Sequence, residues 1–179
     1  MKKKTRSEKI LFMVQSAIIA AAYMALTYAA GAVNLAYGPI QFRFSEALTI
    51  LPVFTPAAIP GLALGCMFGN LISPVGPADV IFGSLATLLA ALGSYAVRRV
   101  TIKGVPWLAP FFPVLVNAVI IGPMVSVLYV GDSSAMSCLI CGLQVGLGQL
   151  AMCYGLGLPL FGALKKSGLF TRLGRAQLR

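Results

Sequence analysis

The sequence predicts an all-α integral membrane protein with six transmembrane helices and both termini on the cytoplasmic side. Three observations predict it. Of 179 residues, 59% are hydrophobic and 10% charged, and the mean hydropathy is +0.90. A soluble domain of this length needs far more polar surface. Several apolar runs approach the roughly 20 residues that a helix needs to cross a bilayer. They are continuous and lack the two-residue alternation of a barrel strand. Thirteen of the fourteen Lys and Arg residues fall in three flanking clusters: Lys2 to Lys9, Arg98 to Lys103, and Lys165 to Arg179. Such clusters are topology signals, and they explain the net charge of +10 better than nucleic-acid binding does.

The chain reads as one transmembrane domain over residues 1–179, with spans at 10–32, 46–55, 57–72, 79–98, 106–129 and 136–164. The first run follows a basic flank but is too long for the apolar core of a signal peptide and lacks an obvious cleavage site. Within it Ala17, Ala21, Ala25 and Ala29 recur every fourth residue. On a helix they form one flat face open to close approach by another backbone. Packing within the chain and docking to a different membrane subunit both fit that face. Residues 33–45 form a loop with turn formers Asn34, Gly38 and Pro39.

Residues 47–72 pose a counting problem. Proline disfavours helix continuation at Thr55-Pro56, and Pro52 and Pro60 flank the break. Two crossings return Arg98, Arg99 and Lys103 to the N-terminal side, which the positive-inside rule favours. Each piece is short, so a shallow hairpin is the alternative. After a Pro/Gly connection at 73–78, Asp79 stands where it could cap the fourth span. Trp107 and Tyr129 bracket the fifth span as interfacial aromatics. The sixth span is expected to tilt or break near Gly155, Gly157 and Pro159.

Inside this frame the unexplained polar residues are Arg43, Glu46, Asn70, Asp79, Asn117, Gln144 and Gln149. A polar group in hydrocarbon needs a partner and faces inward. With six crossings, Arg43, Glu46, Asn70 and Asp79 converge near the outer face, and a solute site is expected there. Asn117 and Gln149 lie deeper. Gln144 is read as a tie between helices. Gly61, Gly65 and Gly69 form a small-xxx-small packing face. The four cysteines lie in apolar runs and are read as ordinary buried thiols, including the Cys138-x-x-Cys141 pair. With no His and no second Cys pair, no metal site is expected. There is no catalytic set, no nucleotide motif and no cofactor signature.

Two stretches carry a resemblance. The run Gln41-Phe42-Arg43-Phe44-Ser45-Glu46-Ala47-Leu48, followed by residues 54–61, resembles the QueT family. So does the run from Asp79 to Ala91, and the likeness extends from the first span to Leu158-Pro159-Leu160. QueT proteins are substrate-binding S components of energy-coupling factor (ECF) transporters, assigned to queuosine precursors. The resemblance implies a multi-pass protein of a bacterial plasma membrane, with a solute site near the outer face under the first loop. It implies three partners, a transmembrane coupling subunit and two cytoplasmic ATPases. It matches Ala17, Ala21 and Ala25 to the docking face. The expected substrate-binding set is Arg43, Glu46, Asn70, Asp79, Asn117 and Gln149, with Tyr37, Phe42 or Phe44 stacking on a flat base. Arg43 either pairs with Glu46 to hold the loop or contacts the solute. One departure stands out: Gly148-Gln149 occupies the place of the family's usual Gly-Glu pair. The alternatives are an S component for another vitamin or nucleobase, and a membrane-interaction protein that transports nothing.

Overall fold

The computed structural model describes residues 5–37, 40–168 and 170. The basic residues Lys2, Lys3, Lys4, Arg172, Arg175 and Arg179, and the loop residues Gly38 and Pro39, lie outside the described residues. The described residues fold into α-helices α1 (Arg6–Ala32), α2 (Ala58–Gly69), α3 (Pro77–Ala96), α4 (Phe111–Val125), α5 (Ala135–Met152) and α6 (Leu158–Ser167). A 3-10 helix, Phe44–Val53, precedes α2, and π-helical turns extend α4 to Val130 and join α5 to α6. Four helices are long and apolar enough to cross a membrane: Arg6–Ala32, Pro77–Ala96, Phe111–Val130 and Ala135–Ser167.

Local sequence explains the boundaries. Thr5 and Glu8 close a reciprocal capping box at the start of α1. Pro77 occupies the first turn of α3, where its missing N–H costs nothing. Helix α4 starts at Phe111, because the stretch between Pro106 and Pro110 folds into turns. The expected break in the last span is the π-helical segment Cys153–Gly157, which contains Gly155 and Gly157 and precedes Pro159. The break after the first loop falls between Val53 and Ala58, around Thr55-Pro56.

The order of contacts along α1 resolves the counting problem in part. The 3-10 helix runs antiparallel to α1: Ser45 meets Thr27, Glu46 meets Tyr23, and beyond its end Thr55 meets Gln15. Helix α2 then runs parallel to α1, from Ser16 beside Gly61 to Thr27 beside Gly69. Residues 44–72 are therefore a helical hairpin laid along α1. Glycine makes the contact close. A Cβ at Gly65 would sit 2.8 Å from Ala20 O and 2.7 Å from Tyr23 Cβ. The Gly61/Gly65/Gly69 face is thus the internal packing surface. The alanine face of α1 points the other way, and Ala17, Ala21, Ala25 and Ala29 are all exposed.

The 3-10 helix packs against α1, α3 and the π-helical turn 153–157. Helices α4 and α5 pack face to face, with Gly122 against the backbone of Gly142. One apolar core joins α1, α2 and the 3-10 helix through Ile19, Tyr23, Leu51 and Leu62. A second joins α3, α4 and α5 through Ala86, Ile121, Val125 and Val145. The polar residues lie between these two cores.

Candidate functional site

Arg43 ends the first loop on extended backbone (φ −80°, ψ 110°), one residue before the 3-10 helix. It is 4% exposed. Its Nε donates to Ala36 O (2.8 Å), Nη1 to Asn70 Oδ1 (3.1 Å) and Nη2 to Asp79 Oδ2 (3.1 Å). The guanidinium fork thus ties the loop, the end of α2 and the start of α3 together. Asp79 Oδ2 also accepts from Ser73 Oγ at 2.6 Å. Asn70 turns its amide onto Asp79 O (2.9 Å). Gly83, one turn along α3, leaves room for this set: a Cβ there would strike Asn70 Nδ2 and Asp79 Oδ1. Beneath the guanidinium lies the Tyr37 ring, 5.3 Å to its centroid, and Tyr37 Oη donates to Gly69 O at 2.8 Å.

Two of the alternatives the sequence left open are not those adopted here. Arg43 pairs with Asp79 rather than Glu46. On a 3-10 helix, positions i and i+3 eclipse, but the extended backbone of Arg43 takes its side chain out of that row. Asp79 does not cap α3 either. Gly76 is the cap residue, Pro77 follows it, and Asp79 falls in the first turn. From there its carboxylate turns to Arg43 and Ser73.

Glu46 lies in the first turn of the 3-10 helix and is 2% exposed. Its Oε1 accepts from Tyr23 Oη at 2.5 Å. Gln149, buried on α5, approaches the same carboxylate, and Cys153 Sγ lies 3.5 Å from Gln149 Oε1. Thr49 Oγ1 lies 3.6 Å from Cys153 Sγ. The loop reaches α5 at this level: a Cβ on Gly148 would strike Gln41 O. Among the described residues, two buried side-chain oxygens lack a hydrogen-bond partner, Glu46 Oε2 and Asp79 Oδ1.

Of the six expected substrate-binding residues, Arg43, Asn70 and Asp79 are joined directly. Glu46 and Gln149 form an adjacent group one helical turn along the 3-10 helix. Asn117 stands apart: its Nδ2 donates to Pro113 O within α4 (3.0 Å). Gln144 is half-buried. The four cysteines are free thiols; Cys66, Cys141 and Cys153 are buried and Cys138 half-buried. Tyr23, Thr27, Ser45 and Ser73 belong to the site's polar network and were not anticipated. The signal for Tyr23 and Thr27 is their four-residue spacing from Gln15 and Ile19, on the buried face of α1.

A cavity of about 410 Å³ opens at this end of the bundle, lined by Gly31, Asn34, Tyr37, Ile72, Pro74 and Tyr129. Tyr37 belongs both to this cavity and to the contact beneath Arg43. The arrangement offers hydrogen-bond acceptors, one fixed cation and aromatic surface, and no nucleophile paired with a base. It is suited to holding a polar molecule rather than transforming one.

The QueT transporter family model matches residues 13–166. The chain belongs to the QueT transporter family. Its members are transporters rather than enzymes, and the helices described above make this a multi-pass membrane protein. The chain is also 40% identical over 84 residues to the queuosine precursor transporter QueT of Lactococcus lactis subsp. cremoris (strain MG1363). That alignment covers 47% of this chain and 49% of the relative, so the chain spans about half the length of the curated relative it matches. No solved structure matches the chain.

Proposed function

We propose that this QueT family member is the substrate-binding S component of an ECF importer and takes up a deazaguanine queuosine precursor such as queuine. The observation that carries the reading is the pair of buried acceptors, Glu46 Oε2 and Asp79 Oδ1, held without protein partners in one membrane-embedded cluster. A buried acceptor left unmade costs about 1–3 kcal/mol, more when charged. A guanine-like edge presents adjacent N–H donors that suit such oxygens. Each acid keeps one oxygen for the protein, on Tyr23 or on Arg43 and Ser73, and leaves one for a ligand. Asn70 and Gln149 add amides that can meet ring nitrogens and a carbonyl, and Tyr37, Phe42 or Phe44 can stack on the base. The place of Asn117 in the substrate-binding set rests on its burial facing the bundle.

The proposal keeps six crossings in one domain, with both ends in the cytoplasm of a bacterium. The antiparallel and parallel runs along α1 support two passes for residues 44–72. Each pass is short: ten residues of 3-10 helix rise about 20 Å, against roughly 30 Å of hydrocarbon. Partners would be a transmembrane coupling subunit and two ATPases. Exposure of Ala17, Ala21 and Ala25 favours that face as the docking surface, since the chain's own helices do not cover it.

Calorimetric titration of queuine into the purified protein and into Glu46→Gln tests the reading. The wild type should bind. Removing one charged acceptor should weaken binding about 10- to 150-fold, the equivalent of roughly 1.5–3 kcal/mol. Equal binding by both proteins would remove Glu46 from the site. Absence of queuine binding, with stabilisation by another base or vitamin in a thermal screen, would favour the second S-component reading.

A further inference from the structure

A second site lies at the opposite end of α3 from Asp79. Between the α3–α4 connection and α6 there is a cavity of about 370 Å³, lined by Lys103, Val105, Leu158, Phe161, Lys165 and Lys166. Lys165 Nζ donates to Gly104 O at 3.0 Å and lies 5.7 Å from the Phe161 ring centroid. The two chain segments are thereby joined, and three lysines line one concavity. The chain has four acidic side chains, and all are engaged elsewhere. Glu8 caps α1, Glu46 and Asp79 belong to the buried cluster, and Asp132 binds Ser134. No acidic side chain neutralises these lysines.

The depth of this cavity is marked independently. Trp107 follows Val105 closely in the chain, and its carbonyl accepts from Tyr154 Oη at 3.0 Å. The two rings lie 6.4 Å apart. Tryptophan and tyrosine prefer the headgroup level of a bilayer. Beside the lysines, Ile102 is 62% and Leu108 42% exposed, an apolar skirt at the position of lipid chains. Unneutralised cations, an interfacial aromatic pair and an apolar flank together select a ligand that is anionic at one end and apolar at the other.

We infer that this cavity binds the phosphate-bearing headgroup of an anionic lipid, with the ammonium groups of Lys103, Lys165 and Lys166 around the phosphate. The site is independent of the solute cluster and of the transport reading. Each lysine near an anionic lipid surface is worth about fivefold in affinity, so two are worth roughly 30-fold. Phosphatidylglycerol retention by the full chain in detergent, read by native mass spectrometry against phosphatidylcholine, is the test. Wild-type protein should retain phosphatidylglycerol selectively. Lys103→Gln with Lys166→Gln, which leaves the Lys165–Gly104 contact in place, should reduce retention at least tenfold. Unchanged melting of that variant in neutral detergent establishes that it folds. The inference is overturned if both lipids are retained equally, or if the double variant retains phosphatidylglycerol as the wild type does. It is also overturned if Arg6→Gln with Lys9→Gln, outside the cavity, causes the same loss, because general surface charge then suffices. Stabilisation by inorganic phosphate alone to the extent seen with the lipid would assign the site to a free anion instead.

Discussion

Replacing Asp79 separates the structural work of its carboxylate from a role in holding solute. In Asp79→Leu the Arg43 guanidinium keeps its neutral acceptors, Ala36 O and Asn70 Oδ1, but loses the carboxylate 3.1 Å away. Breaking a buried pair from one side costs about 3–5 kcal/mol, because a buried charge is left uncompensated. For a chain of this length each kcal/mol moves the melting midpoint about 2–4 °C, so Asp79→Leu should melt roughly 6–20 °C lower. Arg43→Met combined with Asp79→Leu removes both charges. It still strands two acceptors, Ala36 O and Asn70 Oδ1, at about 1–3 kcal/mol each, or roughly 2–6 kcal/mol together. The double variant should therefore melt close to Asp79→Leu and below wild type. Thermal unfolding in detergent reads this term, and queuine titration of the same proteins reads the other. Asp79→Leu melting within about 2 °C of wild type would refute the charge argument. A double variant that regains stability and still binds queuine would reduce Arg43 and Asp79 to a structural clamp.

Three further outcomes are expected. Tyr23→Phe removes the 2.5 Å bond to Glu46 and leaves the carboxylate with neither oxygen paired to Tyr23. It should cost about 1.5–3 kcal/mol in the same melting assay. Gly65→Ala gains about 1 kcal/mol in helix propensity but drives a methyl to 2.8 Å from Ala20 O, a backbone atom that cannot swing away. Overpacking of this kind costs about 1–3 kcal/mol, so a net loss of stability is expected, and a rise would mean that α1 and α2 separate easily. Ala21→Leu, on the exposed face of α1, should leave queuine binding intact and prevent co-purification with a coupling subunit. Intact assembly would argue against docking through this face.

The parts of the site legible in the sequence were those where a residue is out of place in its surroundings. Arg43, Glu46 and Asp79 are charges in greasy sequence, and burial forces such groups together. Pro56 marked the hairpin bend, and Gly155 and Gly157 marked the irregular last helix, because each opposes regular α-helix. Tyr23 and Thr27 gave no such signal. Both are common in apolar spans, and their partners Glu46 and Ser45 lie 23 and 18 residues away. Their role depends on the 3-10 helix folding back along α1, and residues 44–53 look like ordinary span by composition. For Asp79 the sequence left capping and a ligand role both open, and the local backbone decides against capping. Pro77 takes the first turn and makes Gly76 the cap, which frees the carboxylate for Arg43. The alanine face was ambiguous because small residues suit internal and external packing equally. Gly61, Gly65 and Gly69 already satisfy α1 from inside, which leaves the alanines outside.

An amide rather than a carboxylate at Gln149 suits the charge of the cluster. Arg43 contributes one positive charge, and Glu46 and Asp79 contribute two negative ones if both are ionised, an excess of one negative charge in a membrane-embedded core. Asp79 already takes the guanidinium directly. Glu46 is stabilised by the Tyr23 hydroxyl and by the approach of Gln149. A carboxylate at position 149 would set a third anion beside Glu46, and like charges at that range disfavour one another's ionisation strongly. An amide at that position can donate toward Glu46 and still offer an oxygen. Under the proposed reading, Glu46 and Asp79 are then the carboxylates left to accept from a ligand.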